Sequence, residues 1–398
     1  MPTEKVDLVI FVGRQAASYD ASQAAQGIGA TSIERTLAEA NQAIASDTIE
    51  RALSTGICSR IIVATDSPEF ASRLSSLPVT VEVDDEPFHF GRRLSHLIHK
   101  YQIKHPFYIG GGSTPLLGAD EMAAICRSLL SQENVVMANN FYSADFAAFT
   151  PGTAIDQIEL PDTDNNLAFP LHHQAGLRNV PIRSTASTQM DVDTPTDLAI
   201  LRLHPGTGPH TREFLRGLDI DVANLEEILP LLSDPGAQII VAGRVGSQTW
   251  VQLESSVACQ TRVFSEERGM RASGRDVQGK VRSLLGYYLE SQGVAKFFDS
   301  LGEMGDAALI DSRVIFEHLG RRPSAADRYN SDLLRAEEIV DPFVAEFTAG
   351  ARSARIPVVL GGHSIVAGGL WALIESAWAA ARRTPETSQT PIPKPVLR

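Results

Sequence analysis

Two aspartates that could bind a metal ion, Asp191 and Asp193, stand just before the Thr194-Pro195 pair of segment 190–198. Carboxylates are the hard oxygen ligands that Mg²⁺ prefers, and Mg²⁺ serves phosphate chemistry by bridging phosphate oxygens. Two acidic residues at the predicted end of a strand therefore indicate a site for a divalent metal and a phosphorylated ligand. The alternative is that Asp193 caps the helix that begins near Pro195, because an acidic residue before Thr-Pro is a good N-cap. The sequence leaves both interpretations open.

The loop after the first predicted strand could bind phosphate. Gly13 and Arg14 follow this strand and could offer backbone N–H groups and a cation to a triphosphate. The Gly-Ile-Gly segment at 27–29 would extend the same loop. We therefore predict nucleotide contacts at Gly13 and Arg14.

A run of three glycines follows a later predicted strand and ends at Gly112, directly before Ser113 and Thr114. Glycines let the backbone come close to a ligand, and the two hydroxyls could contact a nucleotide or an ion. The alternative is a flexible turn after a buried strand. Both interpretations remain open for this segment.

Short apolar runs alternate with helical patterns through the first half, which is typical of βαβ units. Such a pattern predicts a parallel sheet covered by helices. Ligands in open sheets of this kind bind beyond the carboxyl ends of the strands. The predicted strands cover residues 6–12, 60–65, 80–83, 107–109 and 135–138. The candidate residues at 13–14 and 112–114 lie in two of the loops that follow these strands.

Three segments carry a resemblance to an enzyme family by their order and spacing. They are the strand end at 61–66, the glycine-bearing segment at 108–117 and the closing Met-Asp-Val-Asp-Thr-Pro-Thr-Asp-Leu at 190–198. On these segments, about residues 1 to 203 resemble the nucleotidyltransferases related to molybdenum-cofactor guanylyltransferase and phospholactate guanylyltransferase. The resemblance implies a Rossmann-like α/β fold of GT-A type with a mostly parallel sheet. It also implies transfer of a nucleoside monophosphate from a nucleoside triphosphate to a small phosphorylated or carboxylated acceptor, with release of pyrophosphate.

The same resemblance implies a role for each candidate residue. Asp191 and Asp193 would be the catalytic carboxylates that hold Mg²⁺. Asn166, in the turn at 164–169, would contact the acceptor. The nucleotide would be bound by Gly13, Arg14, Gly112, Ser113 and Thr114.

The sequence departs from the family pattern at two places. The first loop has a single glycine where the family has a Gly-rich phosphate loop, and Ser113 stands where relatives carry a metal-binding aspartate. Either Asp191, Asp193 and substrate phosphates hold the metal, or catalysis is lost. The second possibility makes the first half a degenerate nucleotide- or sugar-phosphate-binding scaffold, with any activity in the C-terminal half.

The second half resembles no family that we recognise. The Gly- and Pro-rich stretch after Leu203 predicts a boundary, with a second α/β domain at 205–383 and a flexible, Pro- and Thr-rich tail at 384–398. This domain could instead be a separate sugar-phosphate- or acid-binding enzyme fused to the first.

Several residues of the second half could bind an anion because they follow predicted strands or sit in a cationic loop. The alternatives are a tight strand-to-helix turn at 244–247, pairing of the loop arginines with Glu266 and Glu267, and a structural turn at 363–364. The candidates are Arg244, Gly246, Ser247, Arg268, Arg271, Arg275, His363 and Ser364.

Composition narrows the classes of partner. The formal charge of −13 opposes binding to nucleic acid, whose affinity depends on Lys and Arg. The three cysteines share no metal-binding spacing, and no apolar run is long enough to span a membrane. We therefore expect a cytoplasmic protein that binds small molecules, with a homodimer as one assembly compatible with the sequence.

Overall fold

The computed structural model describes residues 5–13, 32–84 and 88–382. In the first half, seven strands form one sheet in the order β3-β2-β1-β4-β6-β5-β7. The strands are β1 (Val6–Val12), β2 (Cys58–Thr65), β3 (Thr80–Val83), β4 (Pro106–Gly110), β5 (Val135–Ala138), β6 (Phe146–Thr150) and β7 (Arg178–Asn179). All pairs are parallel except those of β6, which runs antiparallel to β4 and β5. The mostly parallel α/β sheet predicted for this half is confirmed.

Helices cover both faces of this sheet, so its central strands are mostly apolar. Every residue of β1 is buried, as expected for a parallel strand packed on both sides. The helices are α1 (Ser32–Thr55), α2 (Pro68–Leu74), α3 (Phe90–Tyr101), α4 (Ala119–Leu130), α5 (Ala168–His173), α6 (Ala186–Gln189) and α7 (Pro195–Leu203). Short 3₁₀ turns lie at Gly152–Gln157 and Asp164–Asn166.

The second half is also α/β, as predicted. Its four parallel strands lie in the order β11-β10-β8-β9. They are β8 (Gln238–Gly243), β9 (Gln260–Ser265), β10 (Ala307–Asp311) and β11 (Val358–Gly361). The helices are α8 (Pro209–Arg216), α9 (Ala223–Leu232), α10 (Ser247–Ser256), α11 (Leu284–Met304), α12 (Ser312–His318), α13 (Ala325–Asp332), α14 (Pro342–Arg352) and α15 (Gly368–Ala381).

One hydrophobic core cluster joins the two halves. Met190 and Leu198 of the first half belong to the same buried cluster as Leu309 of β10 and Leu370 of α15. The cluster fixes the position of one sheet relative to the other because close-packed interiors resist shear. The boundary near residue 204 stays a prediction, and the predicted tail lies outside the described residues. No described helix is long and apolar enough to cross a membrane.

Candidate functional site

Segment 190–192 is held against the carboxyl end of β4. The Thr114 N–H donates to the carbonyl of Met190 at 3.0 Å, and the Val192 N–H donates to the carbonyl of Gly112 at 3.3 Å. Ser113 and Asp191 therefore pair as an isolated antiparallel bridge. Two segments that are about 80 residues apart in the chain thus meet at the sheet edge where open α/β sheets bind ligands.

Three polar groups converge above Gly110, the last residue of β4. A Cβ atom on Gly110 would lie 2.7 Å from Ser113 Oγ, 3.4 Å from Tyr108 Oη and 3.5 Å from Asp164 Oδ2. The Tyr108 hydroxyl donates to Asp164 Oδ2 at 2.8 Å. A side chain at Gly110 would collide with the Ser113 hydroxyl, so glycine leaves room for these three polar groups at the strand end.

Four aspartates surround this point, and their charges repel one another. Burial, followed by the charges of Asp193, Asp145 and Asp164, raises the pKa of Asp191 well above its usual range. Burial raises the pKa of Asp145 to about 7, although the Asn139 side chain donates to Asp145 Oδ2 at 2.7 Å and opposes the shift. Burial raises the pKa of Asp164 too. The ionised carboxylates of such a site create a negative electrostatic potential that would attract a cation.

The carboxylate oxygens of this site suit a Mg²⁺ ion that has only one or two protein ligands. Among the residues that the structure describes, no three His, Cys, Asp or Glu side chains converge closely enough to hold a metal by themselves. Mg²⁺ is commonly held by one or two carboxylates, with water and substrate phosphates completing its shell. Asp191 and Asp193 are the carboxylates that would hold it here.

The helix after these aspartates has its own cap, which leaves the Asp193 side chain free for the site. The N-cap of α7 is Thr194, and the Asp197 carboxylate accepts hydrogen bonds from the N–H groups of Asp193 at 3.1 Å and Thr194 at 2.8 Å. The alternative in which Asp193 is the cap is therefore wrong. The Asp193 side chain is open to solvent although protein surrounds it, which is the position of a residue that lines a cleft.

The glycine run approaches another part of the protein. A Cβ atom on Gly112 would collide with the amide group of Asn41 in α1, so a larger residue here would require the Asn41 side chain to move. Thr114 adopts a φ of 48°, and its hydroxyl is buried without a hydrogen-bond partner among the described residues. Ser113 is also buried, at 6% exposure. The predicted nucleotide contacts of these three residues stay predictions.

The other candidates of the first half lie apart from these contacts. Gly13 is exposed at the end of β1, whereas Arg14 and segment 27–29 lie outside the described residues. Asn166 is exposed in the 3₁₀ turn that also carries Asp164. Of that turn, Asp164 is the residue whose side chain reaches the aspartate cluster.

Two buried ion pairs organise the carboxyl edge of the second sheet. Arg244 donates to both carboxylate oxygens of Asp311, at 2.5 and 3.0 Å. Arg313 donates to both oxygens of Asp332, at 2.7 and 2.6 Å. Charges of Arg244 and His363 lower the pKa of Asp311 despite its complete burial. Buried ion pairs therefore join the loop after β8 to the end of β10, and the start of α12 to the end of α13.

The loop after β9 divides its arginines between two roles. Arg275 donates to both carboxylate oxygens of Glu267, at 2.8 and 2.7 Å. This is the pairing between a loop arginine and Glu267 that the sequence left open as an alternative. Arg275 is therefore occupied by Glu267, which corrects its assignment as an anion ligand. Arg268 and Arg271 are exposed and make no ion pair or side-chain hydrogen bond with any described residue.

The remaining candidates gather around Arg268. A Cβ atom on Gly246, the N-cap of α10, would lie 3.1 Å from Arg268 Nε, and Ser247 is the first residue of that helix. Burial, with the charges of Arg244 and Arg268, lowers the pKa of His363 to about 4. Ser364 follows His363 in a 3₁₀ turn after β11 and lies instead beside Asp197 of α7, where its hydroxyl opposes the rise of the Asp197 pKa that burial causes.

The carboxyl edges of the two sheets face one another. The Thr196 hydroxyl donates to the carbonyl of Leu360 at 2.7 Å, and a Cβ atom on Gly362 would lie 3.0 Å from Thr194 Cγ2. Asp193, the neighbour of Thr194, feels the positive charges of Arg271, Arg244 and Arg313, which oppose the rise of its pKa caused by burial. One cleft therefore has an aspartate wall from the first half and an arginine wall from the second. We call these the aspartate wall (Asp145, Asp164, Asp191 and Asp193) and the arginine wall (Arg244, Arg268, Arg271, Arg313 and Arg328).

The sequence missed several residues of this cleft as site residues. Tyr108 and Asp164 lie in the segments at 108–117 and 164–169 but receive no role from them. Asp145, Arg313 and Arg328 are not among the residues predicted from the sequence. Their positions next to strand ends were the available signal, because open α/β sheets place ligands there.

No family model matches the chain, and no curated protein matches it. Solved structures that are similar to about half of the chain include CMP:2-keto-3-deoxy-manno-octonic acid synthetase complexed with CTP, with 14% identity over 50% of this chain and 97% of that chain, at a TM-score of 0.34. A nucleotide-diphospho-sugar transferase from Desulfovibrio desulfuricans G20 is 13% identical over 54% and 99% of the two chains, with a TM-score of 0.37. A cytidylyltransferase from Leptospira borgpetersenii is 13% identical over 55% and 99%, also at 0.37. Similarity at this level does not establish the family or the activity of this chain.

Burial of acidic side chains, together with repulsion between them, predicts a dependence of stability on pH. A carboxyl group with a raised folded-state pKa stabilises the fold fully at low pH and loses that contribution as the pH rises through the folded-state value. That value is about 7 for both Asp145 and Asp197. His363, whose pKa is lowered to about 4, has the opposite effect below pH 6.5, so the test uses pH 6.5 to 8.

In EDTA, the melting temperature should fall from pH 6.5 to pH 8. The free energy of unfolding should decrease by up to about 1.4 kcal/mol per pH unit for each proton that the folded state binds in excess of the unfolded state. Thermal melts at several pH values measure the slope. Asp191→Asn should flatten it, and Glu133→Gln, which changes an exposed carboxylate that forms no ion pair with any described residue, should leave it unchanged. A melting temperature that rises over this range would contradict the raised pKa values of these carboxyl groups.

Proposed function

We propose that the protein is a Mg²⁺-dependent nucleotidyltransferase that moves a nucleoside monophosphate from a nucleoside triphosphate to a small anionic acceptor. The observation that carries the proposal is the aspartate wall, which lies at the carboxyl edge of a mostly parallel sheet and closes around Gly110. An acceptor oxygen forms a bond to the α-phosphorus while the bond to pyrophosphate breaks. The similarity of half of the chain to solved nucleotidyltransferases agrees with this chemistry.

The residues of the chain mainly position charge in this proposal. Asp191 and Asp193 hold Mg²⁺, which when bound neutralises the charge of the phosphates. Gly13 and Arg14 bind phosphates, Gly112, Ser113 and Thr114 contact the nucleotide, and Asn166 contacts the acceptor. Ser113 contributes a hydroxyl where relatives have a carboxylate, so Asp164, which also lies beside Gly110, is placed to supply negative charge there.

The alternative is a non-catalytic scaffold that binds a nucleotide or a sugar phosphate. Two observations favour it: Ser113 is buried, and the loop after β1 begins with a single glycine. The homodimer and the cytoplasmic location remain predictions under either function.

A thermal-shift panel tests the proposal. ATP, GTP, CTP and UTP are each added to the full chain with Mg²⁺ and with EDTA. One preferred triphosphate should raise the melting temperature only with Mg²⁺, because a ligand at 100 times its Kd adds about 2.7 kcal/mol to the stability of the folded state. An equal shift in EDTA would support a scaffold that binds nucleotides. No shift with any triphosphate would contradict the transferase function and would favour a scaffold that binds a sugar phosphate.

A further inference from the structure

Helix α15 of the second half encloses one side of the segment that carries Asp191 and Asp193. Gly368, the first residue of α15, is buried, and a Cβ atom on it would collide with backbone atoms of Gln189 and Met190. Because these atoms belong to the main chain, no rotation of a side chain could relieve the collision. Any shift of Met190 would pass directly to Asp191, the next residue in the chain.

Strand β11 and the loop after it contact the other side of this segment. The Thr196 hydroxyl, whose residue is buried, donates to the carbonyl of Leu360 at 2.7 Å. A Cβ atom on Gly362 would lie 3.0 Å from Cγ2 of Thr194, the residue that follows Asp193. The second half therefore contacts the segment on both sides of the two aspartates.

One carboxylate connects the second half to the main chain of Asp193. Ser364, in the turn after β11, lies beside the Asp197 side chain. The Asp197 carboxylate accepts hydrogen bonds from the N–H groups of Asp193 at 3.1 Å and Thr194 at 2.8 Å. The second half thus reaches the backbone of a proposed metal ligand through a single side chain.

The apolar neighbours of Asp191 anchor this residue as well. Met190 and Val192, on either side of it, belong to the core cluster that also contains Ile365 and Leu370 of the second half. Successive side chains of an extended segment point to opposite faces, so burial of both neighbours fixes the direction of the Asp191 side chain. A metal ligand needs such a fixed direction.

We infer that residues 360–369, which we call the clamp segment, hold Asp191 and Asp193 in position for the metal, so that binding of a Mg²⁺–triphosphate complex depends on the second half. Thr196 and Gly368 are the positioning residues. Repulsion between aspartates favours separation of the segments that carry them, so contacts from outside must hold these segments together before the metal binds. The inference rests on the proposed function for the metal and the triphosphate, whereas the clamp itself does not.

Two pairs of variants of the full chain test the clamp. Thr196→Val removes the hydroxyl that donates to Leu360 but keeps the shape of the side chain, whereas Thr196→Ser keeps the hydroxyl. Gly368→Ala introduces the collision with the backbone. Its matched control is Gly217→Ala, because a Cβ atom on Gly217, at the end of α8, would make only an ordinary contact of 3.5 Å with the Phe214 carbonyl. Urea melts verify that each variant folds.

Amide hydrogen exchange in EDTA, without nucleotide, follows residues 190–198 and the buried strand β1, which reports global unfolding. Calorimetry measures the affinity for the preferred triphosphate with Mg²⁺. We expect Thr196→Val and Gly368→Ala to speed exchange in residues 190–198 by at least about tenfold while β1 keeps its protection. Both variants should also weaken Mg²⁺–triphosphate binding by about tenfold or more, as loss of the support behind a metal ligand commonly does. Thr196→Ser and Gly217→Ala should match the unsubstituted protein in both measurements.

The two measurements separate the clamp from the transferase function. Unchanged exchange in residues 190–198, or an equal loss of protection in β1, would overturn the inference, because the contacts would then serve only general stability. Faster exchange with unchanged triphosphate affinity would overturn it too, since the clamp would not act on the site. If no triphosphate binds to the unsubstituted protein with Mg²⁺, the transferase function fails, and the exchange data still decide whether the clamp holds the segment.

Discussion

Replacing Asp191 with asparagine should weaken the Mg²⁺-dependent binding of the preferred nucleoside triphosphate by about 30-fold or more. Truncating one member of a buried charge pair costs about 2 kcal/mol or more, and 2 kcal/mol corresponds to about 30-fold in Kd. Asparagine keeps the size of the side chain, so the loss would reflect the missing charge. Calorimetric titration with and without Mg²⁺ measures the effect.

The same variant should raise the melting temperature of the ligand-free protein. Burial and the neighbouring aspartates raise the pKa of Asp191, so its ionised form is unfavourable in the folded state at neutral pH. Opposite effects on ligand binding and on ligand-free stability distinguish a metal ligand from a structural residue. Asp162→Asn serves as the control, since this carboxylate is 92% exposed. A variant that binds the triphosphate normally with Mg²⁺ would remove Asp191 from the mechanism.

Replacing Arg313 with methionine should lower the free energy of unfolding by about 3–5 kcal/mol, because Asp332 would be left as a buried, unpaired charge. The Arg313 side chain is 8% exposed and that of Asp332 is fully buried. Urea unfolding followed by circular dichroism measures the loss.

Two companion variants show whether the cost comes from the unpaired charge. Arg313→Met combined with Asp332→Leu should recover much of the stability, since an apolar pair can replace a buried ion pair. Arg352→Met breaks an exposed pair with Glu337 and should cost no more than about 1 kcal/mol. Equal losses in Arg313→Met and Arg352→Met would contradict the account of the buried pair.

The sequence predicted most elements of both sheets because their hydrophobic patterns are local. The strands Val6–Val12, Thr80–Val83 and Val135–Ala138 have the predicted bounds. The antiparallel strand Phe146–Thr150 was missed. It inserts between two parallel neighbours, so nothing in the βαβ rhythm signals it.

The ends of helices differ from the sequence pattern where a glycine or a turn interrupts that pattern. The sequence pattern indicates a helix over residues 281–292, whereas α11 runs from Leu284 to Met304 and contains a break at Gly293, whose φ is 77°. The pattern after residue 364 is also helical, but α15 begins only at Gly368, after a 3₁₀ turn. Glycine at positive φ allows two helical segments to join across a kink, which a periodic pattern cannot show.

The cleft could not be predicted because it depends on how the halves pack together. Asp193 and Arg271 were each singled out from the sequence for separate sites. Their common cleft results from contacts such as that of Thr196 with Leu360 and from the shared core. Local pattern carries no information about such contacts between remote segments. The same limitation applies to Arg328, whose neighbours come from other loops.

Binding of Mn²⁺ to the full chain, followed by electron paramagnetic resonance, tests the central claim most directly. Mn²⁺ takes the same carboxylate, phosphate and water oxygens as Mg²⁺. Each of the four nucleoside triphosphates is added in turn, to the unsubstituted protein and to the Asp191→Asn, Asp193→Asn and Asp162→Asn variants. The account predicts that one triphosphate recruits Mn²⁺ to the protein, and that the first two variants lose this complex while the third retains it. Equal Mn²⁺–triphosphate binding in all four proteins would contradict a metal site at Asp191 and Asp193.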